Sequence, residues 1–499
     1  MKKYVLVRIL RSLFSLVVVT SLAFAMVYTL VPRMRIFKTD GTWSKLSSDR
    51  DAQMSYENST YEKIGYIDFI EQKDICALLY EDKSGTGYSS CMQAGNAEVV
   101  SFVEEYEAKG YTSGVYEKNG LVWMTREIPL ASRIVDWFSN ILWLDGPNRI
   151  QDANNPDLER GYYLGETSTG SPALMCSGCE YKYQVYVNGS FPFIHQNVLN
   201  VNFGTSYPTY ANTPVLDVFT QSQGESVRTE QLMPNGTTQS SSLDLETCKY
   251  KYTLDNLDVN KFNDNYADCT TVRQDPSMLS VSAIMGILSL ILSYGIALPV
   301  GNLMARKKGK LADKIGMAYI IFIIAVPFLA YIYAFKYVGN VFFGLPDKFP
   351  SLGALNWKSY VLPIISLSLP SIGSTMMWIR RYMIDQSTQD YVKFAKSKGL
   401  SQKEIFNNHI MRNAIIPIAQ GIPSSIVSVI SGALITEAVY AVPGMGKMLP
   451  DSISAFNNPI VITLTFIFTG VSIFALLAGD LLITVIDPRI SLADNGGRK

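Results

Sequence analysis

Two histidines, six cysteines and one glycine-rich run are the residues in this 499-residue sequence whose types and spacing suggest chemistry. The run is "AVPGMGKM" at 441–448. A phosphate-binding loop needs Gly-x-x-x-x-Gly-Lys followed by Ser or Thr, so that backbone N–H groups cradle the anion and a hydroxyl reaches the metal. Ala441 stands where the first glycine belongs and Met448 where the hydroxyl belongs, so this is not a nucleotide site. His195 and His409 are separated by several long apolar runs and cannot cooperate. No His-Glu-x-x-His or Gly-x-Ser-x-Gly pattern occurs. The cysteines are Cys76, Cys91, Cys176, Cys179, Cys248 and Cys269. Cys176 and Cys179 form a CxxC, but zinc would need two further ligands and only His195 lies in the same block. A redox CxxC belongs at a helix start in a βαβ setting that the flanking residues do not suggest. An even count favours structural disulfides with the pairing open. The chemistry predicted for this chain is therefore non-catalytic, with no resident metal or cofactor.

The elements that carry these residues are mostly apolar. Apolar residues make up 48% of the chain and charged ones 17%, against about 25% charged in a soluble domain. The formal net charge is zero, so nothing points to nucleic acid. Six runs hold no charge: 12–31, 278–305, 315–335, 359–379, 414–436 and 460–479. At about 1.5 Å per residue, a helix of about 20 residues crosses the hydrocarbon core of about 30 Å. The predicted fold class is a polytopic α-helical membrane protein of six spans with a large domain between the first and second. Ala23-Phe24-Ala25 after Lys2-Lys3 offers a competing reading as a cleaved signal peptide. The apolar stretch continues through Leu30 and Val31, longer than a signal peptide needs. Lys2, Lys3, Arg8 and Arg11 precede the first span, Arg306, Lys307, Lys308 and Lys310 follow the second, and Arg380, Arg381, Lys393, Lys396, Lys398, Lys403 and Arg412 follow the fourth. The positive-inside bias then places both termini and residues 382–413 in the cytoplasm and residues 33–275 outside the cell.

Residues 33–275 are long enough to fold as a domain, and their patterns predict a mixed α+β one. "NAEVVSFVEEYEAKG" at 96–110 reads as an amphipathic helix with Val99, Val103 and Tyr106 on one face and Gly110 as its stop. "RIVDWFSNILWL" at 133–144 reads the same way, with Trp137 and Trp143 suited to a bilayer interface. "EYKYQVYVNG" at 180–189 alternates like a strand ending in an Asn-Gly turn. A faint echo links "FSNILWLDG" to "IHQNVLNVNFG", too short to count as a repeat.

The most patterned polar segment is "DYVKFAKSKGLSQKEIFNNHIMRNAIIPI" at 390–418. Asp390 to Lys398 suit a short helix, Gly399 suits its end, and Ser401 with Glu404 forms a capping-box pair for a second helix that meets Pro417. A solvated basic loop obeying the charge rule explains the lysines. It does not explain the series Gly399, His409, Asn413, Pro417.

This segment resembles the cytoplasmic loop of the OppB-like permease subunits of oligopeptide ABC importers, in particular their long-loop Gram-positive type. The matching positions are Asp390, Tyr391, Val392, Ala395, Lys398, Gly399, Leu400, His409, Arg412, Asn413, Ala414 and Pro417, with Lys396-Ser397-Lys398 replacing the usual Arg-Ala-Lys. "YVLPIISLSLP", "TEAVYAVPGMGKML" and the closing "IDPRI" are similar to other family stretches, and "NVNFGTSYPTYANTPVLDVF" resembles the family's outer loop with Val201-Asn202 for Gly-Asp. The resemblance implies ATPase coupling through Asp390, Tyr391, Ala395, Gly399, Leu400, His409, Asn413 and Pro417. It implies as partners a second homologous permease, two cytoplasmic ATPases that use ATP and Mg, a lipid-anchored peptide-binding protein, membrane lipid and an oligopeptide cargo. It divides the chain into 1–32, an outer block 33–275 (33–185 an insertion, 186–275 family-like), a permease core 276–487 and a tail 488–499. Two intramembrane acids remain candidates for pathway or packing: Glu437, to meet a peptide amino terminus or anchor the outer turn, and Asp480, for which packing is favoured. Transport of dipeptides or nickel would share the same engine. An export or mechanotransmission component would share the large outer domain but needs fewer spans after it, and a receptor needs a signalling module where only 12 residues follow Asp487.

Overall fold

The computed structural model describes residues 2–486, apart from 81, 153–154, 168–169, 188–192, 221–228, 233–237, 242–243, 253, 255–259, 261–263 and 273–275; it also leaves out the side chains of 2–5, 229–247, 267–272 and 428–432. The predicted Asn188-Gly189 turn and the tail from Asp487 lie outside the described residues.

The chain opens with α1, Lys2–Leu30, whose apolar window begins at Leu6. Beyond it Ile36 and Phe37 turn inward with Tyr61, Tyr66, Phe69 and Tyr207 to form an aromatic core. Asp49 caps α2, Arg50–Lys63, by accepting from the N–H of Ala52. Strand β1, Ile67–Glu71, then leads to α3, Gln72–Leu79, and α4, Ala97–Ala108. Asn96 caps α4, Gly110 turns away from it at φ 90°, and Val99 is buried with Val103 and Tyr106 beside it. Strands β2, Thr112–Val115, and β3, Val122–Glu127, complete an antiparallel sheet of order β1-β3-β2. A Cys76–Cys91 disulfide ties α3 to the next helical turn within the core of this lobe.

The amphipathic helix α5, Leu130–Asn140, is shorter than the sequence pattern predicts. Leu142–Leu144 leaves it as β4, because these residues find backbone partners elsewhere. The second lobe continues with β5, Gly161–Glu166, β6, Pro172–Ser177, β7, Tyr183–Val187, and β8, Ile194–Gln196, hydrogen-bonded in that order. Strand β9, Leu199–Val201, pairs with β4, so the two echoing stretches of the sequence are the two halves of one ribbon. The 185/186 division falls inside β7, and the four-stranded sheet draws on both segments. Hairpin strands β10, Thr229–Leu232, and β11, Thr238–Ser241, precede β12, Asp244–Tyr250, and β13, Tyr266–Val272. Cys176 and Cys179 are joined by a disulfide and fully buried, and the Tyr266 hydroxyl donates to both of their carbonyls at 3.0 Å. Cys248 is also disulfide-bonded, and the β12–β13 register sets Cys269, whose side chain is outside the described set, directly opposite it. His195 stacks on Tyr186 at 5.3 Å.

The helical bundle follows: α6, Met278–Arg306, α7, Leu311–Ala325, α8, Phe328–Phe343, α9, Lys358–Ser387, α10, Asp390–Ser397, α11, Met411–Tyr440, and α12, Asn458–Ile486. By length and composition α1, α6, α9 and α12 can each cross a membrane, and α11 carries the apolar run 414–436 along its 30 residues. The third expected span, 315–335, is corrected: it is not one helix but the pair α7–α8, bent by 110°. Pro327 is the cause, since it lacks an N–H and pushes Val326 out of the helical region to ψ 130°. Helix α6 lays a buried small-residue stripe, Ser282, Gly286, Ser289, Ser293, Ala297 and Gly301, in the bundle, which lets α9 approach closely. A Cβ on Gly301 would meet Ile379 at 2.9 Å.

The bundle therefore has a domain side, which carries residues 33–275, and a loop side, which carries residues 388–410. Buried Asn457 and Asn458 join the bundle to the domain. Asn457 donates to Ser206 Oγ at 2.8 Å and Thr209 Oγ1 at 2.7 Å, and Asn458 donates to the Tyr66 hydroxyl at 3.0 Å.

Candidate functional site

On the loop side, α9 runs as a helix to Ser387, past the predicted loop boundary at 382. Gln389 is extended and turns the chain into α10. One face of α10 buries Val392 and Ala395 against Met383, Ile405, Ile410 and Ala414. The other face is exposed: Asp390 and Lys393 pair at 2.8 Å in solvent, and Phe394 is 61% exposed under the Lys398 ammonium at 4.5 Å. Phe394 is thus the large apolar side chain that this water-facing side of α10 leaves mostly uncovered, with Lys398 as its cover. Tyr391 straps the start of the helix by donating to Gln386 Oε1 at 2.8 Å.

The end of α10 is a double hydrogen-bonded cap. The Gly399 N–H donates to the Lys396 carbonyl at 3.0 Å and the Leu400 N–H to the Ala395 carbonyl at 3.4 Å. This pattern requires a left-handed residue, and Gly399 supplies it at φ 81°. Ser401 then starts the next helix, accepting from the Glu404 N–H at 3.3 Å while Glu404 accepts from the Ser401 N–H at 2.9 Å. Hydrogen bonding from the Ser401 side chain and backbone holds the Glu404 carboxyl below its ordinary range. A π-helical turn, Ile405–Ile410, carries His409, and Asn413 and Pro417 follow in the first turns of α11. Pro417 has no N–H for the Asn413 carbonyl four residues back, which loosens α11 where it leaves the loop side. The structure thus gathers Asp390, Tyr391, Ala395, Gly399 and Leu400 in one projecting hairpin and sets His409, Asn413 and Pro417 on the helix that rises from it.

A further link escapes the sequence reading. Arg380 near the end of α9 grips buried Asp313 at the start of α7 through two bonds of 2.5 and 2.9 Å, and Asp313 also accepts from the Gly309 N–H at 2.8 Å. This forked pair ties α7 to α9 above the projecting hairpin. Phe394 is the second omission; its only sequence signal is an aromatic residue on the charged face of α10.

On the domain side, α11 ends in the glycine-rich run. Glu437 is fully buried and accepts from the Ser282 hydroxyl at 2.7 Å and the Lys447 N–H at 3.0 Å, and Ser282 in turn accepts from the Met445 N–H at 2.8 Å. Gly444 and Gly446 are glycines because the carboxylate needs their space: a Cβ would stand 2.2 and 2.9 Å from its oxygens. The run does wrap a carboxyl group, but it is the protein's own Glu437 side chain. Tyr440, also buried, is 2.9 Å from Ser366 Oγ. Asp480 lies toward the other end of the bundle in α12 and pairs with Arg8 of α1. Glu437 and Asp480 therefore belong to separate networks.

The family model for the inner membrane component of binding-protein-dependent transport systems matches residues 297–492, which include the projecting hairpin and the Glu437 turn. The oligopeptide transport system permease protein AmiC of Streptococcus pneumoniae serotype 4 is 43% identical over 504 residues, covering the whole of both chains. The dipeptide transport system permease protein DppB of Lactococcus lactis subsp. cremoris is 29% identical over 228 residues, 46% of this chain and 74% of that one. The peptidoglycan transport system permease protein YejB of Agrobacterium fabrum is 32% identical over 230 residues, 42% of this chain and 62% of that one.

Proposed function

The chain belongs to the AmiC family of oligopeptide transport permeases, and from that premise we propose that it forms half of a peptide pathway and is driven through residues 390–417. The second half comes from a homologous permease, and two cytoplasmic ATPases with ATP and Mg supply the stroke. The hairpin of α10 docks on one of those ATPases with Phe394 as its apolar anchor. Movement of the ATPases then reaches α9 and α11, whose ends the hairpin joins, and exposes the pathway alternately to the two faces of the membrane. Both termini and the loop side are cytoplasmic. Residues 33–275 are extracellular, where a lipid-anchored binding protein delivers oligopeptides, and residues 33–185 help that protein dock or shield the entrance.

The observation that carries this reading is the two-faced α10. Val392 and Ala395 lock it to the bundle while Phe394 and Lys393 are left to solvent. A solvated loop does not need a buried face, a glycine-dependent cap and a capping box in succession.

The test is purification of the tagged chain in mild detergent with its partners identified by mass spectrometry, beside a Gly399→Pro variant. Proline holds φ near about −65° and cannot take the left-handed position. The wild type is expected to bring down a second permease and two ATPases, and the variant to lose the ATPases while keeping the permease. A stable wild-type chain that brings down no ATPase overturns the reading.

A further inference from the structure

Near the start of α1, a groove of about 320 Å³ runs between α1 and α12. Its α1 wall is Arg8, Arg11, Ser12 and Ser15 with Val7 at its edge, and its α12 wall is Ile473, Leu476 and Leu477. Steps of three and four residues put each set on a single helix face. One wall is thus cationic and hydroxylated, and the other is alkyl. Asp480, one turn beyond Leu476, engages Arg8. Among the described residues Asp480 is the acid that reaches this wall, and Arg11 makes no ion pair, so the groove keeps one uncompensated cation. Arg11 sits within two turns of Leu6, where the apolar window of α1 begins. That is headgroup depth, with Ser15 one turn further into the hydrocarbon.

A ligand complementary to both walls carries an anionic oxygen cluster directly joined to an alkyl chain. We infer that the groove is a binding site for one anionic phospholipid, its phosphate on Arg11 with the hydroxyls of Ser12 and Ser15, and an acyl chain along Ile473, Leu476 and Leu477. Basic pockets between membrane helices at headgroup level take such lipids. Free phosphate would satisfy only the polar wall. Asp480 acquires a definite role in this arrangement: it removes Arg8 from the groove and sets the net charge at one.

The test uses the assembled transporter in nanodiscs of phosphatidylcholine containing phosphatidylglycerol with a photoreactive acyl chain, and maps the crosslinks by mass spectrometry. Labelling is expected at residues 473–477. One basic residue at a membrane surface is worth roughly fivefold in anionic lipid binding, so Arg11→Gln should lower the labelling by about that factor and Arg11→Lys should restore it. Leu476→Trp fills the alkyl wall and should reduce labelling with Arg11 intact. Asp480→Asn releases Arg8 and should increase it. Excess inorganic phosphate should not compete; full competition makes this a free-phosphate site. Unchanged labelling in both Arg11→Gln and Leu476→Trp overturns the inference. Labelling of the isolated chain but not of the assembled transporter overturns it in favour of a surface covered by another subunit.

Discussion

The two ends of α11 solve opposite problems with similar residue types. At Tyr440 the chain turns back toward α12, and the acid beside that turn is buried and answered internally. Glu437 is enclosed by Ser282, the Lys447 N–H and two glycines that leave it room. At Met411 the same helix emerges from a hairpin whose carboxylates, Asp390 and Glu404, bond only to neighbours in sequence and face solvent. At this sealed end the Glu437 carboxyl is taken up by the chain's own donors. The open end offers a mostly exposed phenyl ring and lysines whose contacts are solvent-exposed and local. The comparison therefore sets a buried acid held by the chain itself against the exposed ring beside charge that we propose as the ATPase contact.

The largest expected effect tests the sealed end. Glu437→Ala leaves the Ser282 hydroxyl and the Lys447 N–H without their acceptor in a buried site. At about 1–3 kcal/mol for each abandoned group, the loss is roughly 2–6 kcal/mol. Thermal unfolding of the purified complex in detergent should show a large fall in Tm, and Gly444→Ala should fall in the same direction because its Cβ meets the carboxylate. A Glu437→Ala protein with wild-type Tm and lost peptide uptake would break the comparison, since the buried acid would then serve the pathway.

The open end predicts the reverse split. Phe394 is 61% exposed, so Phe394→Ala should leave Tm unchanged. If the ring is the anchor, ATPase association should weaken at least about tenfold, or about 1.4 kcal/mol, as truncation of a central aromatic contact does. Ser401→Ala should do less. It removes a helix cap worth about 1 kcal/mol, frays the start of the second helix in hydrogen exchange, and weakens ATPase association only through that fraying. Equal effects of Phe394→Ala and Ser401→Ala on association would show that hairpin shape, not the ring, makes the contact.

What the sequence made legible follows the range of each interaction. The cap at Gly399 and the capping box of Ser401 and Glu404 are closed within a few residues, so residue type and spacing suffice to read them. The long apolar runs are legible because a membrane imposes one length on every span. The partners of Glu437 and Asp313 are not, because Ser282 and Arg380 stand 155 and 67 residues away. The early end of α5 fails for a related reason. Leu142 and Leu144 continue the helical pattern, but pairing with Val201 and Leu199 across the chain outweighs it. The bend at Pro327 was visible as a residue and not as an outcome, since Pro363, Pro370, Pro417 and Pro423 lie inside continuous helices.

Acid supplies the finest version of the contrast, within residues 33–275. Asp40 is the domain's counterpart of Glu437. Burial alone would raise its pKa, but hydrogen bonds from Tyr207, Tyr56 and the Trp43 and Thr42 N–H groups outweigh this and hold it below the ordinary aspartate value. Asp390 is also lowered, by exposed Lys393, but solvent screens that pair and it contributes little to stability. A carboxyl whose folded pKa is depressed contributes stability that is complete above its unfolded value of about 4 and disappears as pH falls through the folded value. Acidification below about pH 4 should therefore loosen the Asp40 cluster, and loosen the α10 hairpin far less, because the depressed carboxyls of Asp390 and Glu404 are both exposed there. Hydrogen exchange read on the segments around Trp43, Tyr56 and Tyr207, and on 390–404, measures both at once. Asp40→Asn should flatten the response of the first three segments, because asparagine does not titrate over this range. If the hairpin loosens first, or if Asp40→Asn keeps the full acid response, then internal hydrogen bonding is not what separates a structural acid from a surface one in this chain.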